Sequence, residues 1–161
     1  MDAIDLLRLQ HHELEHALAR VLDAPDAASK KARFAAVADD LTLHIASEEQ
    51  VFYPAVKAAR TEDILLESLE EHLSLKRLIA DLLDMDPVEH TFDAKFKVLK
   101  EQAEHHHREE EENLFPKVRK LLAPEGRDGL GGEMLELQQK LDREGEPREL
   151  VTEQTQAAAP L

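Results

Sequence analysis

Four stretches of the chain repeat apolar positions at alternating steps of three and four, the period of a helix buried along one face. Ile4, Leu7, His11, Leu14, Leu18 and Val21 make the first stripe; Phe34, Val37, Leu41, His44, Glu48 and Val51 make the second. The third runs Leu65, Leu69, His72, Leu75, Ile79 and Leu82, and the fourth Phe92, Phe96, Leu99, Ala103, His106, Glu110 and Leu114. Breakers part them at Ala24-Pro25-Asp26, Arg60-Thr61-Glu62-Asp63 and Met85-Asp86-Pro87, and Thr91 is expected to cap the fourth helix. Short connections favour antiparallel neighbours, so the expected fold is all-α, an up-down-up-down four-helix bundle. Pro54 and Pro116 each fall inside a long helical pattern, where a kink or break is expected. The bundle is expected to span residues 1–122. Residues 123–161 are expected to add a Gly-bearing loop (Glu125 to Gly132), one short helix around Met134 to Leu141, and a mobile tail from Glu144.

Each stripe contains polar residues where the period demands core. Their arrangement repeats: HIASEEQVFYP at residues 44–54 returns as HHREEEENLFP at residues 106–116. Each copy sets a carboxylate four residues after a His, so His44 with Glu48 and His106 with Glu110 lie one above the other on a helix face. A further His precedes each copy at nearly equal distance, His11 by 33 residues and His72 by 34. Burying two carboxylates without partners costs several kcal/mol each. Bound cations offset that cost, which makes His11, His44, Glu48, His72, His106 and Glu110 the candidate ligands of a two-metal centre.

Imidazole and carboxylate without thiolate suit iron, and less well manganese or zinc. Two octahedral ions offer roughly twelve positions. Two bridging carboxylates, four imidazoles and an oxo or hydroxo bridge leave about two for solvent or a small ligand such as dioxygen, hydrogen peroxide or nitric oxide. The rival ferritin-like pattern needs Glu-x-x-His pairs on the core face. Glu13 with His16 and Glu104 with His107 have that spacing but fall off the stripes, toward solvent. His12, His16, His105 and His107 are all expected to be solvated. Glu49, Glu109, Glu111 and Glu112 are expected as surface charge, with Glu49 and Glu111 near enough in sequence to hydrogen-bond a ligand imidazole.

Composition narrows the partners. The formal charge is −15, with 20 Lys and Arg against 35 Asp and Glu, which disfavours nucleic acid and anionic membrane surfaces. The absence of Cys removes disulfides and thiolate sites. No apolar run reaches transmembrane length, and the chain begins in an acidic amphipathic pattern, so a cytoplasmic protein is expected, as a monomer or weak homodimer.

The order His11, His44-x-x-x-Glu48, His72, His106-x-x-x-Glu110, with the endings Tyr53-Pro54 and Phe115-Pro116, resembles the hemerythrin-like, HHE cation-binding domain over about residues 1–122. The segment GGEMLELQQKL resembles the extension that follows many such domains. The resemblance implies an antiparallel four-helix bundle around a non-haem di-iron centre. The oxygen-carrying members have a second His one turn away on the third helix, where this chain has Ser68 and Lys76. They also use an Asp five residues after the fourth-helix His, where this chain has Glu110 at four and Glu111 at five. One fewer imidazole leaves an open position or calls for a substitute oxygen ligand, which favours redox turnover, including catalase-like decomposition of peroxide, over reversible oxygen carriage. An iron or oxygen sensor or store acting through a partner is the alternative. Tyr53, the chain's only Tyr, is a candidate additional ligand, as in some relatives. Ideal helix geometry points it away from Glu48, so a Pro-induced bend is required.

Overall fold

The computed structural model describes residues 1–161 and contains helices and no strands. Helix α1 spans Ala3–Val21, α2 Ala27–Ser47, α3 Glu62–Leu83 and α4 His90–Glu109. Asp2 and Asp26 cap the first two by accepting the Ile4 and Ser29 amide N–H at 2.7 Å each, which satisfies donors the first turn leaves free. Glu89, not Thr91, holds the N-cap position of α4, and Thr91 lies within the first turn. No helix is long and apolar enough to cross a membrane.

The stripes are buried nearly as the period requires. Every named residue of the first, third and fourth is buried; in the second, Val51 is half-buried while Phe52 and Tyr53 are buried instead. The cause is a π-helical turn. After Ser47 the helix widens over Glu48–Phe52, and the Tyr53 N–H reaches back five residues to the Glu48 carbonyl. The same happens after α4, where Glu110–Leu114 is π-helical and the Phe115 N–H bonds the Glu110 carbonyl. Pro54 and Pro116 sit in the first turn of the α-helical pieces that follow, Tyr53–Ala55 and α5 (Phe115–Leu121). Proline has no N–H to give, so the chain widens by one residue there and continues without a break.

Helix α1 packs on α2 and α4, and α3 on α4 and α2. Two apolar clusters result, with the polar stripe positions between them. Leu14, Leu41, Leu75 and Leu99 belong to one cluster, and Leu7, Phe52, Leu69 and Leu114 to the other. Along each helix the His or His-Glu pair falls between these two sets. A layer of buried polar groups therefore crosses the core, closed by hydrocarbon above and below.

The C-terminal quarter differs from expectation. The loop expected over 125–132 is helix: α6 runs unbroken from Pro124–Glu144, packed on α1 and α2. Gly131 makes the approach possible, since a Cβ there would overlap the Met1 carbonyl and crowd the Ala3 amide at 3.1 Å. Gly145, at φ 153°, ends the helix in a conformation that side-chain-bearing residues rarely adopt. The tail expected to be mobile is docked. A 3-10 turn at Pro147–Glu153 buries Val151 in the core, and Arg148 pairs with Asp39 at 2.8 Å. Arg77 donates to the carbonyls of Thr155 and Gln156 at 2.8 and 3.2 Å.

Candidate metal centre

The six residues named from the stripes all lie in the polar layer, each with at most 4% of its surface exposed. Glu48 Oε1 is 3.5 Å from His44 Nε2, one turn back on its own helix, and 3.2 Å from His72 Nε2 on α3. Glu110 Oε1 is likewise 3.5 Å from His106 Nε2 on its own helix and 3.2 Å from His11 Nε2 on α1. Each carboxylate thus lies between a His of its own helix and a His of another. The π-helical turns begin at these two glutamates, so the backbone distortion and the chemistry coincide.

The imidazoles are aimed by groups outside the layer. The Nδ1 of His11 meets Glu111 at 2.8 Å, and those of His72 and His106 meet Glu49 and Glu71 at 2.9 Å each. His44 Nδ1 meets the amide oxygen of Gln10 at 2.9 Å. An acceptor at Nδ1 holds the proton there and leaves the Nε2 lone pair turned inward. Glu49 is also held by the buried Lys76 ammonium at 2.7 Å; it and Glu111 make the imidazole contacts their sequence positions allow rather than serving as surface charge.

Two residues read differently from their placement. His107, expected to be solvated, is buried and stacks on His11 with ring centroids 4.0 Å apart. Its ligating atom falls within 4.8 Å of those of His11 and His44. It sits four residues after Ala103 and three before Glu110, spacings that widen a buried stripe rather than leave it. Tyr53 points into the layer without a proline bend. The π turn bonds the Tyr53 N–H to the Glu48 carbonyl five residues back, which brings Tyr53 above Glu48, and its hydroxyl donates to Glu110 Oε2 at 2.7 Å. The Nε2 atoms of His72 and His106 lie 3.3 and 3.4 Å from the Tyr53 hydroxyl oxygen. Phe115, its counterpart in the second repeat, stacks on His11 with centroids 5.9 Å apart.

The layer is electrostatically strained without a cation. Burial, then the neighbouring Glu110 carboxylate, pushes the Glu48 carboxyl well above the usual range. Burial also acts upward on Glu110, but His106 and His11 outweigh it and hold that carboxyl well below. Burial, then His11, holds His44 and His107 well below the ordinary imidazole range, and burial lowers His72. Burial followed by Glu110 and Glu48 raises Tyr53 well above the usual phenol, so it is a proton donor. Nε2 of His11, His44 and His107, both oxygens of Glu48 and Oε1 of Glu110 are buried with no hydrogen-bond partner. Unpaired lone pairs from two side-chain types converging on one place fit a metal centre.

A polar cleft of about 410 Å³ opens beside His11 and His107, lined also by Arg8, His12, Arg108 and Glu111. A larger cavity of about 670 Å³, lined by Phe34, Leu82, Phe92, Leu141 and Pro147, contains none of the converging groups.

The sequence carries the family match that this geometry leads one to expect. The family model of the Hemerythrin HHE cation binding domain matches residues 2–118, and the chain belongs to that family. Among solved structures it is similar to a hemerythrin HHE cation binding domain-containing protein from Mycobacterium kansasii. The TM-score is 0.76 at 20% identity, covering 97% of this chain and 94% of the other, a likeness of fold. A DNA nickase from Nostoc sp. (strain PCC 7120) is 26% identical over 125 residues, 78% of this chain; the chain spans 36% of that protein's length.

Proposed function

We propose that this is a non-haem di-iron protein of the cytoplasm, an antiparallel four-helix bundle that binds or decomposes small oxidants. Hydrogen peroxide is the foremost candidate, then dioxygen or nitric oxide. The observation that carries the reading is the placement of Glu48 and Glu110, each between a His of its own helix and one of another. His11, His44 and His107 would hold one ion, His72 and His106 the other, with Tyr53 beside the second and both carboxylates shared. Bound there, iron supplies one-electron redox capacity and polarises an oxygen ligand. The chain's own groups do the rest. The cleft beside His11 and His107 admits a small polar molecule, the two apolar clusters exclude bulk water, and the Tyr53 O–H holds a proton 2.7 Å from Glu110.

The −15 charge repels a phosphate backbone, so strand cleavage, the activity named for the Nostoc relative, is no part of this reading. Nor is a membrane partner; the protein acts as a monomer or weak homodimer. A sensing or storage role through a partner is the second reading, favoured by the hydrogen-bonded contact of Gln138 on α6 with Gln10 beside His44.

Metal analysis of protein from iron-supplemented cells, with an absorption spectrum and stopped-flow mixing with peroxide, tests the proposal. About two irons per chain and oxygen evolution over many turnovers are expected, while stoichiometric bleaching without oxygen would exclude catalase-like turnover. Glu48→Ala should drop iron well below one per chain, because a shared carboxylate serves both ions. Exposed Glu70→Ala is the control that keeps both. Glu49→Ala, one residue from Glu48, should weaken binding about 10–100-fold through loss of the His72 contact.

A further inference from the structure

Three of the four imidazoles with a hydrogen bond at Nδ1 rest on carboxylates, which when ionised can only accept. His44 alone rests on an amide, and an amide can present either end. If Gln10 turned its NH2 toward His44, the ring proton would move to Nε2 and block the lone pair that faces Glu48. Something must hold the amide the right way round.

The holding group comes from the C-terminal helix. Gln138, on α6, is 8% exposed and forms a reciprocal pair with Gln10. Gln10 Nε2 donates to Gln138 Oε1 at 2.8 Å, and Gln138 Nε2 donates back to Gln10 Oε1 at 3.1 Å. Gln138 Nε2 also donates to Ser47 Oγ at 3.0 Å. Ser47 is fully buried, and its hydroxyl donates to the backbone carbonyl of His44 at 2.8 Å. The circuit starts and ends on one residue. A carbonyl can only accept, so the Ser47 hydroxyl gives its proton there and offers a lone pair to Gln138. Gln138 then presents its oxygen to the Gln10 NH2, and Gln10 its oxygen to His44 Nδ1–H. The reverse polarity turns the Ser47 hydroxyl away from the His44 carbonyl and loses a bond.

We propose that Gln138 is a positioning residue for the metal centre: through Gln10 it locks His44 in the Nδ1–H tautomer and so makes one half of the centre depend on the docked C-terminal helix. This rests on His44 being a ligand, but the tautomer itself is readable without any metal.

The test follows the His44 ring by 15N NMR in metal-free full-length protein and measures Zn2+ affinity in parallel. Wild type should show His44 in the Nδ1–H form. Gln138→Met, close in volume and unable to bond, should give a mixture of tautomers and a drop of about 10–100-fold in Zn2+ affinity. Gln10→Glu supplies an acceptor that needs no lock, so Gln10→Glu with Gln138→Met should recover both the Nδ1–H form and the affinity. Recovery in the double variant also guards against a folding defect in the Met variant. An Nε2–H ring in wild type overturns the proposal. So does loss of affinity in Gln138→Met with the tautomer unchanged, or failure of Gln10→Glu to rescue. A locked ring in a protein that binds no metal would instead sink the di-iron reading and leave the lock standing.

Discussion

His107 and His105 are two residues apart and chemically identical, yet one is buried against His11 and the other is exposed and paired with Glu109 at 3.2 Å. What separates them is the angle each occupies on α4. A stripe read as one residue per step keeps His106 and discards both neighbours; a stripe more than 100° wide takes in His107 as well. Its Nε2 is buried without a partner, a cost of about 1–3 kcal/mol in the metal-free protein. His107→Leu removes that cost and also removes one of the proposed ligands. The metal-free variant should therefore melt higher than metal-free wild type, by about 2–4 °C per kcal/mol for a chain of this size. With iron the order should reverse, because the variant holds close to one ion and gains less from binding. Thermal melts with and without iron read both halves of this crossing, and a variant that loses stability in both states would place His107 in packing alone.

The helices were legible because burial follows a fixed angle per residue, and that angle assigned Leu7, His11 and Leu14, or Leu69, His72 and Leu75, to one face without tertiary information. The six candidate ligands came out of the same pattern, as polar residues at positions that must be buried. The pattern fails where the angle changes. Five steps of about 100° carry Tyr53 to the far side of the helix from Glu48, but the wider π turn, bonded over five residues, brings the phenol back over the carboxylate. Nothing in the hydrophobic periodicity marks the extra residue except the aromatic-Pro endings, whose meaning was read as a kink. Deleting Gln50, exposed within the π turn, should restore ordinary α-helix and leave Tyr53 one turn above Glu48. Inserting one Ala after Gln50 should instead swing it out by about 100°. Tyr53 is the only Tyr and there is no Trp, so phenol ionisation seen by ultraviolet absorption reports this residue alone. Wild type and the deletion should resist ionisation well above the ordinary phenol range, as burial and the two carboxylates require. The insertion should ionise near about 10, the value of a solvated phenol. Ionisation of wild type at that ordinary value would sink the placement of Tyr53.

At the scale of the whole molecule, α6 and the 3-10 turn that follows it pack on the bundle rather than trail from it. Gly126, Gly129, Gly131 and Gly132 lower the helix propensity of this segment, which is why local reading gives a loop. Tertiary contact reverses the outcome: Gly131 lets α6 lie against Met1 to Ala3, and Arg127 pairs with Asp2 at 2.6 Å where it also meets the Leu122 carbonyl. Leu130 and Met134 belong to the apolar cluster on one side of the polar layer, and Val151 to the cluster on the other. Each such side chain contributes about 1.5–3 kcal/mol on burial, so the three together rival the about 5–15 kcal/mol that holds a typical domain folded. A chain ending at Leu122 would also lack Gln138 and expose the faces of α1 and α2 that α6 covers. The full chain should therefore unfold in a single calorimetric transition, with no separate event for the C-terminal segment. The shortened chain should lose most of its helical signal at 25 °C or melt tens of degrees lower, followed by circular dichroism. A second, earlier transition in the full chain, or a shortened chain melting within a few degrees of it, would mean that residues 1–122 fold by themselves and that the extension is an appendage.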